Sequence, residues 1–354
     1  MKIWFDILTP KQLLFFEPMI KRLEKKNKLL CTSRKYREAN QLAKIRKLKL
    51  SIIGKHGGGD NFEKLQSSAD RIKKLSVIVK KFSPDITISF CSPEASRVSY
   101  GLGIKHIAFC NAPHAEAVMK LSVPLIQKLL IPKHIPKEEF TKYGISKKNI
   151  IQYNAMDEYV IVKGKIHRST ASTLPLFKPQ TILIRTSELK AAYFSSQINI
   201  IQIIKKIVNK FSDCNVLVLG RYSDEISYLK KSLSKNITVL DRVVDSGEIL
   251  ARSDVFIGSG GTMTSEAALR GIPTISYNAI PNLDEKFLVR KGFVKRAKNS
   301  NQIIKLTKKL LNSDKGKFQK NAKLFLDSME DPYLTLVNTI KQLKYSSTKT
   351  KNSN

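Results

Sequence analysis

Val255-Phe256-Ile257 runs into Gly258-Ser259-Gly260-Gly261-Thr262, then into the stretch 263–270, closed by Gly271-Ile272-Pro273. The order is strand, glycine loop, helix start. Glycines let a backbone approach a ligand closely, and the free amides of a helix N-terminus point at it, so the pattern suits a diphosphate. Glu266, in the first turns of that helix, lies near enough to accept hydrogen bonds from ribose hydroxyls. A second explanation is structural. Any doubly wound sheet needs glycine at a tight strand-to-helix turn, and a glutamate early in a helix complements its dipole. The residues alone leave both open.

Asn111-Ala112-Pro113-His114-Ala115-Glu116-Ala117 follows an apolar run, again where a strand should end. A histidine titrates near neutrality, and a carboxylate two residues on can orient or charge it, which makes His114 and Glu116 candidate acid–base groups. The competing explanation is a histidine capping the next helix, with Glu116 in its first turn. Lys55-His56-Gly57-Gly58-Gly59 reads either as a loop contacting sugar, acceptor or phosphate, or as a glycine-rich surface turn. Arg185 is a candidate diphosphate partner or a structural ion-pair residue. Asp284 and Glu285 could reach sugar hydroxyls or simply begin a solvated helix. The five histidines, His56, His106, His114, His134 and His167, include no i, i+4 pair, so no metal site is expected.

These loops need strands and helices to hold them. Short apolar runs at 3–7, 29–32, 50–53, 86–90, 104–109 and 129–131 read as strands, with amphipathic stretches of helical period at 13–24 and 62–82. A second alternation follows, with strands at 181–184, 215–219, 237–240, 255–257 and 274–277. Strands separated by helices imply parallel sheets covered on both faces. Such sheets bind ligands beyond the carboxyl ends of their strands, where the loops above belong. The expected domains are 1–160 on the acceptor side and 161–330 on the nucleotide side. A break at Lys163-Gly164-Lys165, Ser169–Thr173, Pro175 and Pro179 joins them. The stretch 315–344 reads as helical, its part from 331 packing back on the first domain. The polar, lysine-rich residues 345–354 read as disordered.

The 354 residues carry 63 Lys and Arg against 29 Asp and Glu, a formal charge of +34. The excess is spread evenly over both halves, unlike a dedicated nucleic-acid face. Attraction to anionic headgroups or phosphorylated substrates fits better. No run reaches the roughly 18–20 apolar residues of a membrane span. The opening Met1-Lys2-Ile3-Trp4-Phe5-Asp6 is too short and too soon charged for a signal peptide. Cys31, Cys91, Cys110 and Cys214 are scattered without a CxxC pair, which points to a reduced, metal-free, cytoplasmic protein.

The segment Ser259-Gly260-Gly261-Thr262-Met263-Thr264-Ser265-Glu266-Ala267-Ala268-Leu269-Arg270-Gly271-Ile272-Pro273 resembles the donor-binding motif of GT-B enzymes. It is similar to that of the N-acetylglucosaminyltransferase of peptidoglycan synthesis and of the UDP-N-acetylglucosamine 2-epimerases. The resemblance implies that Ser259, Gly260, Gly261 and Thr262 contact the diphosphate and Glu266 the ribose. His114-Ala115-Glu116-Ala117 resembles the His-x-Glu-Ala segment of the epimerases, where the glutamate serves acid–base chemistry. The chain as a whole resembles the domain of unknown function 354 family. Asp6, Phe15-Phe16-x-Pro18, Gly54-Lys55-His56-Gly57-Gly58 and Ser92-Pro93-Glu94 carry that likeness beside the two motifs above.

What these resemblances imply is a GT-B type α/β fold, two Rossmann-like doubly wound domains facing a central cleft. The implied activity is a metal-independent glycosyltransferase with no cofactor, using a UDP-linked nucleotide sugar. Its expected acceptor is lipid-linked or a glycan, with peripheral contact to a membrane and no specific nucleic acid. Two epimerase features are missing. Cys91-Ser92-Pro93-Glu94 stands where epimerases place an aspartate after the fourth strand, and Arg185-Thr186-Ser187-Glu188 where they place a histidine. Epimerisation, or a binding protein without turnover, is the alternative reading.

Overall fold

The computed structural model describes the whole chain except residues 167–173, 175, 187–199, 221–222, 234–236, 242, 278–281 and 352–354. Of the expected break over 163–179, residues 167–173 and 175 lie outside the described residues. The chain divides into two compact units, Met1–Gly164 with Met329–Asn354, and Lys165–Ser328.

The first unit runs β1 (Lys2–Asp6), α1 (Pro10–Leu23), β2 (Lys28–Lys35), α2 (Arg37–Ile45), β3 (Ser51–Lys55), α3 (Asn61–Phe82) and β4 (Ile86–Ser89). It continues with α4 (Pro93–Gly101), β5 (Lys105–Phe109), α5 (Glu116–Ser122), β6 (Lys128–Pro132), α6 (Glu138–Thr141), β7 (Ile150–Tyr153) and α7 (Glu158–Lys163). The second unit begins with β8 (Gln180–Arg185), α8 (Ile200–Lys210), β9 (Cys214–Leu219), α9 (Ser223–Ser232), β10 (Thr238–Leu240) and α10 (Ser246–Leu250). Then come β11 (Val255–Gly258), α11 (Thr262–Leu269), β12 (Thr274–Tyr277), α12 (Leu283–Arg290), β13 (Val294–Ala297), α13 (Ser300–Leu311) and α14 (Lys315–Asp327). The last helix, α15 (Pro332–Lys351), belongs to the first unit and packs on β6 and β7.

Every strand pairing is parallel. The first sheet has the order β3-β2-β1-β4-β5-β6-β7 and the second β10-β9-β8-β11-β12-β13. Helices cover both faces of such sheets, so the central strands are apolar throughout: Ile3, Trp4 and Phe5 of β1 are all buried. On one face Trp4 and Ile53 meet Leu75 and Val79 of α3 and Ala95 and Val98 of α4. Elsewhere Phe15 and Phe16 of α1 meet Phe90 and Phe109 edge to face, with Phe5 against Phe16, at 4.9–5.9 Å. Such pairs add to plain burial. The helix that supplies them starts where local chemistry dictates. Thr9 Oγ1 accepts from Gln12 N, and Pro10 occupies the first helical position.

Each sheet reverses strand order once, between β1 and β4 and between β8 and β11. At these switch points neighbouring loops diverge to opposite faces and leave a crevice at the carboxyl ends. Three expectations change. Strands β7 and β13 are additional. The helical stretch 315–344 is two helices, interrupted before Pro332, which cannot continue a helix from the preceding residues. The segment expected to be disordered from 345 continues α15 through Lys351.

Candidate functional site

In the second unit the glycine loop stands at the switch point, between the end of β11 and the start of α11. Gly258 must lack a side chain: a Cβ there would lie 2.6 Å from Thr264 Oγ1 and 2.5 Å from the Phe256 ring. Gly260 has φ +77°, a left-handed conformation that favours glycine. Its N–H donates to Thr264 Oγ1 at 3.2 Å, and its carbonyl accepts from Asn282 Nδ2 at 3.1 Å. Ser259 and Thr262 are half-buried, Gly260 is buried and Gly261 is exposed. Gly261 caps α11 without a side-chain hydrogen bond, which leaves the positive end of that helix without a side-chain cap. A diphosphate could be held there by amides alone.

The neighbouring candidates are tied into the protein. Glu266 is only 1% exposed, and its Oε1 accepts from Arg270 Nε at 3.0 Å and faces Arg270 Nη2 at 2.9 Å. Burial pushes its carboxyl above the usual range, partly offset by Arg270. Arg185, at the end of β8, donates through Nη1 to Gly220 O at 2.7 Å. Glu285 is fully buried, accepts from Ser276 Oγ at 2.9 Å and pairs with Arg296 of β13. Asp284 is buried as well. Of the two readings for this pair, the solvated helix start is therefore excluded: α12 begins inside the unit, capped by Asn282.

The switch point of the first unit holds a buried polar network. Asp6, the last residue of β1, is fully buried and accepts four hydrogen bonds. Its Oδ1 receives Arg71 Nη2 and Thr32 Oγ1, both at 2.6 Å. Its Oδ2 receives Arg71 Nη1 at 3.1 Å and Ser92 Oγ at 2.7 Å. Burial raises the Asp6 carboxyl, but the Arg71 charge and these bonds outweigh it and hold the pKa below 3.8. Arg71 reaches Asp6 from α3 across Gly54, whose φ of +73° sits at an irregularity of the β2–β3 ladder. A Cβ on Gly54 would lie 3.1 Å from the Arg71 side chain. Arg71 Nε also donates to Ile53 O at 3.0 Å. Glu94, in the first turn of α4 and 6% exposed, faces Arg71 Nη1 at 3.7 Å and accepts from Ser92 Oγ at 3.3 Å.

The other first-unit candidates stand apart from that network in the surface they present. His114 is exposed in the turn before α5, and its carbonyl accepts from Glu116 N at 2.9 Å. Glu116 begins α5 with 65% of its side chain exposed and pairs with Lys120 at 2.6 Å. The Lys120 hydrogen bond holds the Glu116 carboxyl below its usual range. Lys55 is exposed at the end of β3. His56 stacks on Tyr36 with ring centroids 5.2 Å apart, and its Nδ1 accepts from Gly58 N at 3.0 Å. Gly57 is required by packing, since its Cβ would lie 2.5 Å from Lys64 Cα. Gly58 has φ +69°. Among the described residues no group of His, Cys, Asp and Glu is arranged to hold a metal ion, and no helix is long and apolar enough to cross a membrane.

The profile of the family described as "Protein of unknown function (DUF354)" matches residues 1–344. This chain belongs to the DUF354 family. An uncharacterized protein of Methanocaldococcus jannaschii is 26% identical to the DUF354 chain over 313 residues, 85% of this chain and 89% of that protein. Among solved structures, the UDP-GlcNAc 2-epimerase of Neisseria meningitidis bound to UDP-GlcNAc is similar at a TM-score of 0.75. It is 16% identical, and the match covers 97% of this chain and 100% of that one. The UDP-GlcNAc 2-epimerase of Methanocaldococcus jannaschii, in complex with UDP-GlcNAc and UDP, is similar at 0.68 and 16% identity, covering 89% and 94%. The spinosyn forosaminyltransferase SpnP is similar at 0.62 and 14% identity, covering 97% and 99%. At these identities the likeness is one of fold: two Rossmann-like parallel-sheet units of GT-B type.

Sequence reasoning singled out Asp6 and Glu94 in the DUF354 chain only as parts of a family pattern. It missed Arg71, which sits in a strongly charged helical stretch. The one available signal was Gly54, a glycine inside a strand, which marks close approach by another group.

Proposed function

We propose that this DUF354 protein is a metal-independent glycosyltransferase that takes its sugar from a UDP-linked donor. The glycine loop at the switch point of the second sheet carries the reading: a helix start without a side-chain cap, suited to a diphosphate, on a fold shared along the chain with proteins whose structures hold UDP-sugars. In this reading Ser259, Gly260, Gly261 and Thr262 hold the diphosphate, Arg185 supports it, and Glu266 offers its carboxylate to the ribose. The partial positive charge at the start of α11 stabilises the departing diphosphate, the task a metal ion performs elsewhere. The first unit binds the acceptor, with Lys55, His56, Gly57 and Gly58 among its contacts. The base is His114 or Glu116, and the pairing of Glu116 with Lys120 favours His114. The place of action is the cytoplasm, in peripheral contact with a membrane.

Incubating the protein with UDP-sugars and following UDP release tests the reaction. UDP formed together with a glycosylated product supports transfer. Interconversion of UDP-GlcNAc with its 2-epimer, without acceptor, would replace transfer by epimerisation. Binding without turnover would leave a sugar-nucleotide-binding protein.

Two substitutions separate the assigned roles. Glu266→Gln should weaken UDP binding by roughly 1–3 kcal/mol, the range for a hydrogen bond to a charged group. Calorimetric titration reads the loss, and an unchanged UDP affinity removes the ribose role. Glu116→Gln should leave the melting temperature and donor affinity unmoved. Turnover should change by less than about tenfold, because a carboxylate spent on a solvent-exposed Lys120 has little charge to lend a base. A larger loss would show that Glu116 leaves Lys120 during reaction and acts as the base itself.

A further inference from the structure

The carboxyl ends of β2 and β3 adjoin the first switch point and carry cations whose bonding is incomplete. Arg34 is half-buried, and its Nε is closed off from solvent with no hydrogen-bond partner. Its surroundings explain why the protein alone does not satisfy it. Asp6 attracts the guanidinium, but both its oxygens are filled by Arg71, Thr32 and Ser92. Glu94 attracts the Arg34 guanidinium but turns one oxygen to Ser92 and Arg71. Beside it, Lys35 and Lys55 stand opposite each other in the β2–β3 register. Both are exposed, and neither has a carboxylate within 4 Å among the described residues, Lys55 acting on Asp70 of α3 from farther off.

Each feature costs stability. A buried N–H without an acceptor forfeits its hydration, and like charges directly opposite on paired strands repel. One ligand removes both costs: an anion with several oxygens, able to accept from a guanidinium fork and neutralise two ammonium groups. Just beyond β3, Gly58 and Gly59 carry no side chains, and an added Cβ there would meet nothing within 4 Å.

We propose that the carboxyl ends of β2 and β3 form a phosphate-binding subsite held by Arg34, Lys35 and Lys55, which takes a phosphate ester group of the acceptor. Only the word acceptor rests on the transfer reading; the subsite stands without it. Glu94 opposes the bound anion and limits its affinity.

The test titrates the full chain with inorganic phosphate and with glycerol phosphate at about 0.15 M salt, where unspecific attraction to a +34 chain is screened. Saturable binding should weaken roughly ten- to hundredfold in Arg34→Gln, the loss expected for charge-assisted hydrogen bonds. The double variant Lys35→Gln, Lys55→Gln should weaken it as well, and Arg34→Lys, which keeps the charge but loses the fork, should fall between. Glu94→Gln should tighten binding severalfold. UDP affinity should be unchanged in all of these, so a failure of donor binding is read separately from a failure of the subsite. Vesicles of phosphatidylglycerol that compete with glycerol phosphate identify a lipid headgroup as the source. Absence of competition identifies a soluble phosphate ester. Equal phosphate affinity in the folded Arg34→Gln variant and the unaltered chain would overturn the proposal, as would no saturable binding to either probe.

Discussion

Replacing Asp6 with Ala is expected to cost the first unit about 3–5 kcal/mol, the range for removing one partner of a buried ion pair. The cause lies in what remains. Arg71 is fully buried, and without Asp6 its guanidinium keeps only the Ile53 carbonyl, at 3.0 Å, and Glu94, at 3.7 Å. Thr32 and Ser92 lose their shortest acceptor and keep only 3.3 Å contacts to Phe5 O and Glu94, and Thr32 also holds Trp4 Nε1 at 2.8 Å, so the disturbance reaches the core. Against a typical total of about 5–15 kcal/mol, such a loss brings a unit close to unfolding at ordinary temperature. Urea denaturation followed by near-ultraviolet absorbance of the single Trp4 reads the first unit directly. The companion variant Asp6→Leu with Arg71→Met should recover much of the loss, since it removes both charges together. A single Asp6→Ala change that leaves the transition within about 0.5 kcal/mol would mean the pair is not buried as described. The pH dependence has a fixed sign. The folded pKa lies below 3.8, so the contribution is complete above that value and is lost as pH falls through the folded one.

This network also marks where sequence reading stops. The strands were legible because both faces of a parallel sheet are buried, leaving uninterrupted apolar runs such as Ile3-Trp4-Phe5. The edge strand β13 was not, because Val294-Lys295-Arg296-Ala297 is neither an apolar run nor an alternation, its two middle residues being charged and exposed. The glycine loop was legible for a local reason: strand, turn and helix start are contiguous in the chain. Asp6 and Arg71 are 65 residues apart, and only the crossing over Gly54 brings them together. Arg71 lies in the pattern Asp70-Arg71-Ile72-Lys73-Lys74, whose composition is that of a solvated helix face. Glu285 misled in the opposite sense. A carboxylate in the first turn of a helix is usually left to solvent, but here Arg296 from the neighbouring edge strand reaches it and makes burial tolerable.

Acid should destabilise the first unit well before its carboxylates protonate, and His106 is the reason. It lies on β5 in register with Thr87 of β4, fully buried, with Nε2 at 2.9 Å from Ser89 Oγ and Nδ1 without a partner. Burial pushes its pKa from 6.5 down to about 3, with only a small opposing pull from Asp6. Between those values the unfolded chain takes up a proton that the native ring refuses, so stability falls as pH falls from 6.5 toward 3. At 1.36 kcal/mol per pH unit the full window is worth on the order of 5 kcal/mol. Over the upper part of the window, above the usual carboxylate range, Asp6 adds nothing. Glu266, whose raised pKa acts with the opposite sign, belongs to the second unit. Denaturation of the first unit at a series of pH values, followed through Trp4, should therefore show a slope approaching one proton near pH 5. His106→Asn, which keeps a polar group for Ser89 but cannot titrate, should flatten that slope while lowering stability at pH 7. A slope that survives in His106→Asn would assign the acid sensitivity to another group and show that His106 is not held neutral in the folded protein.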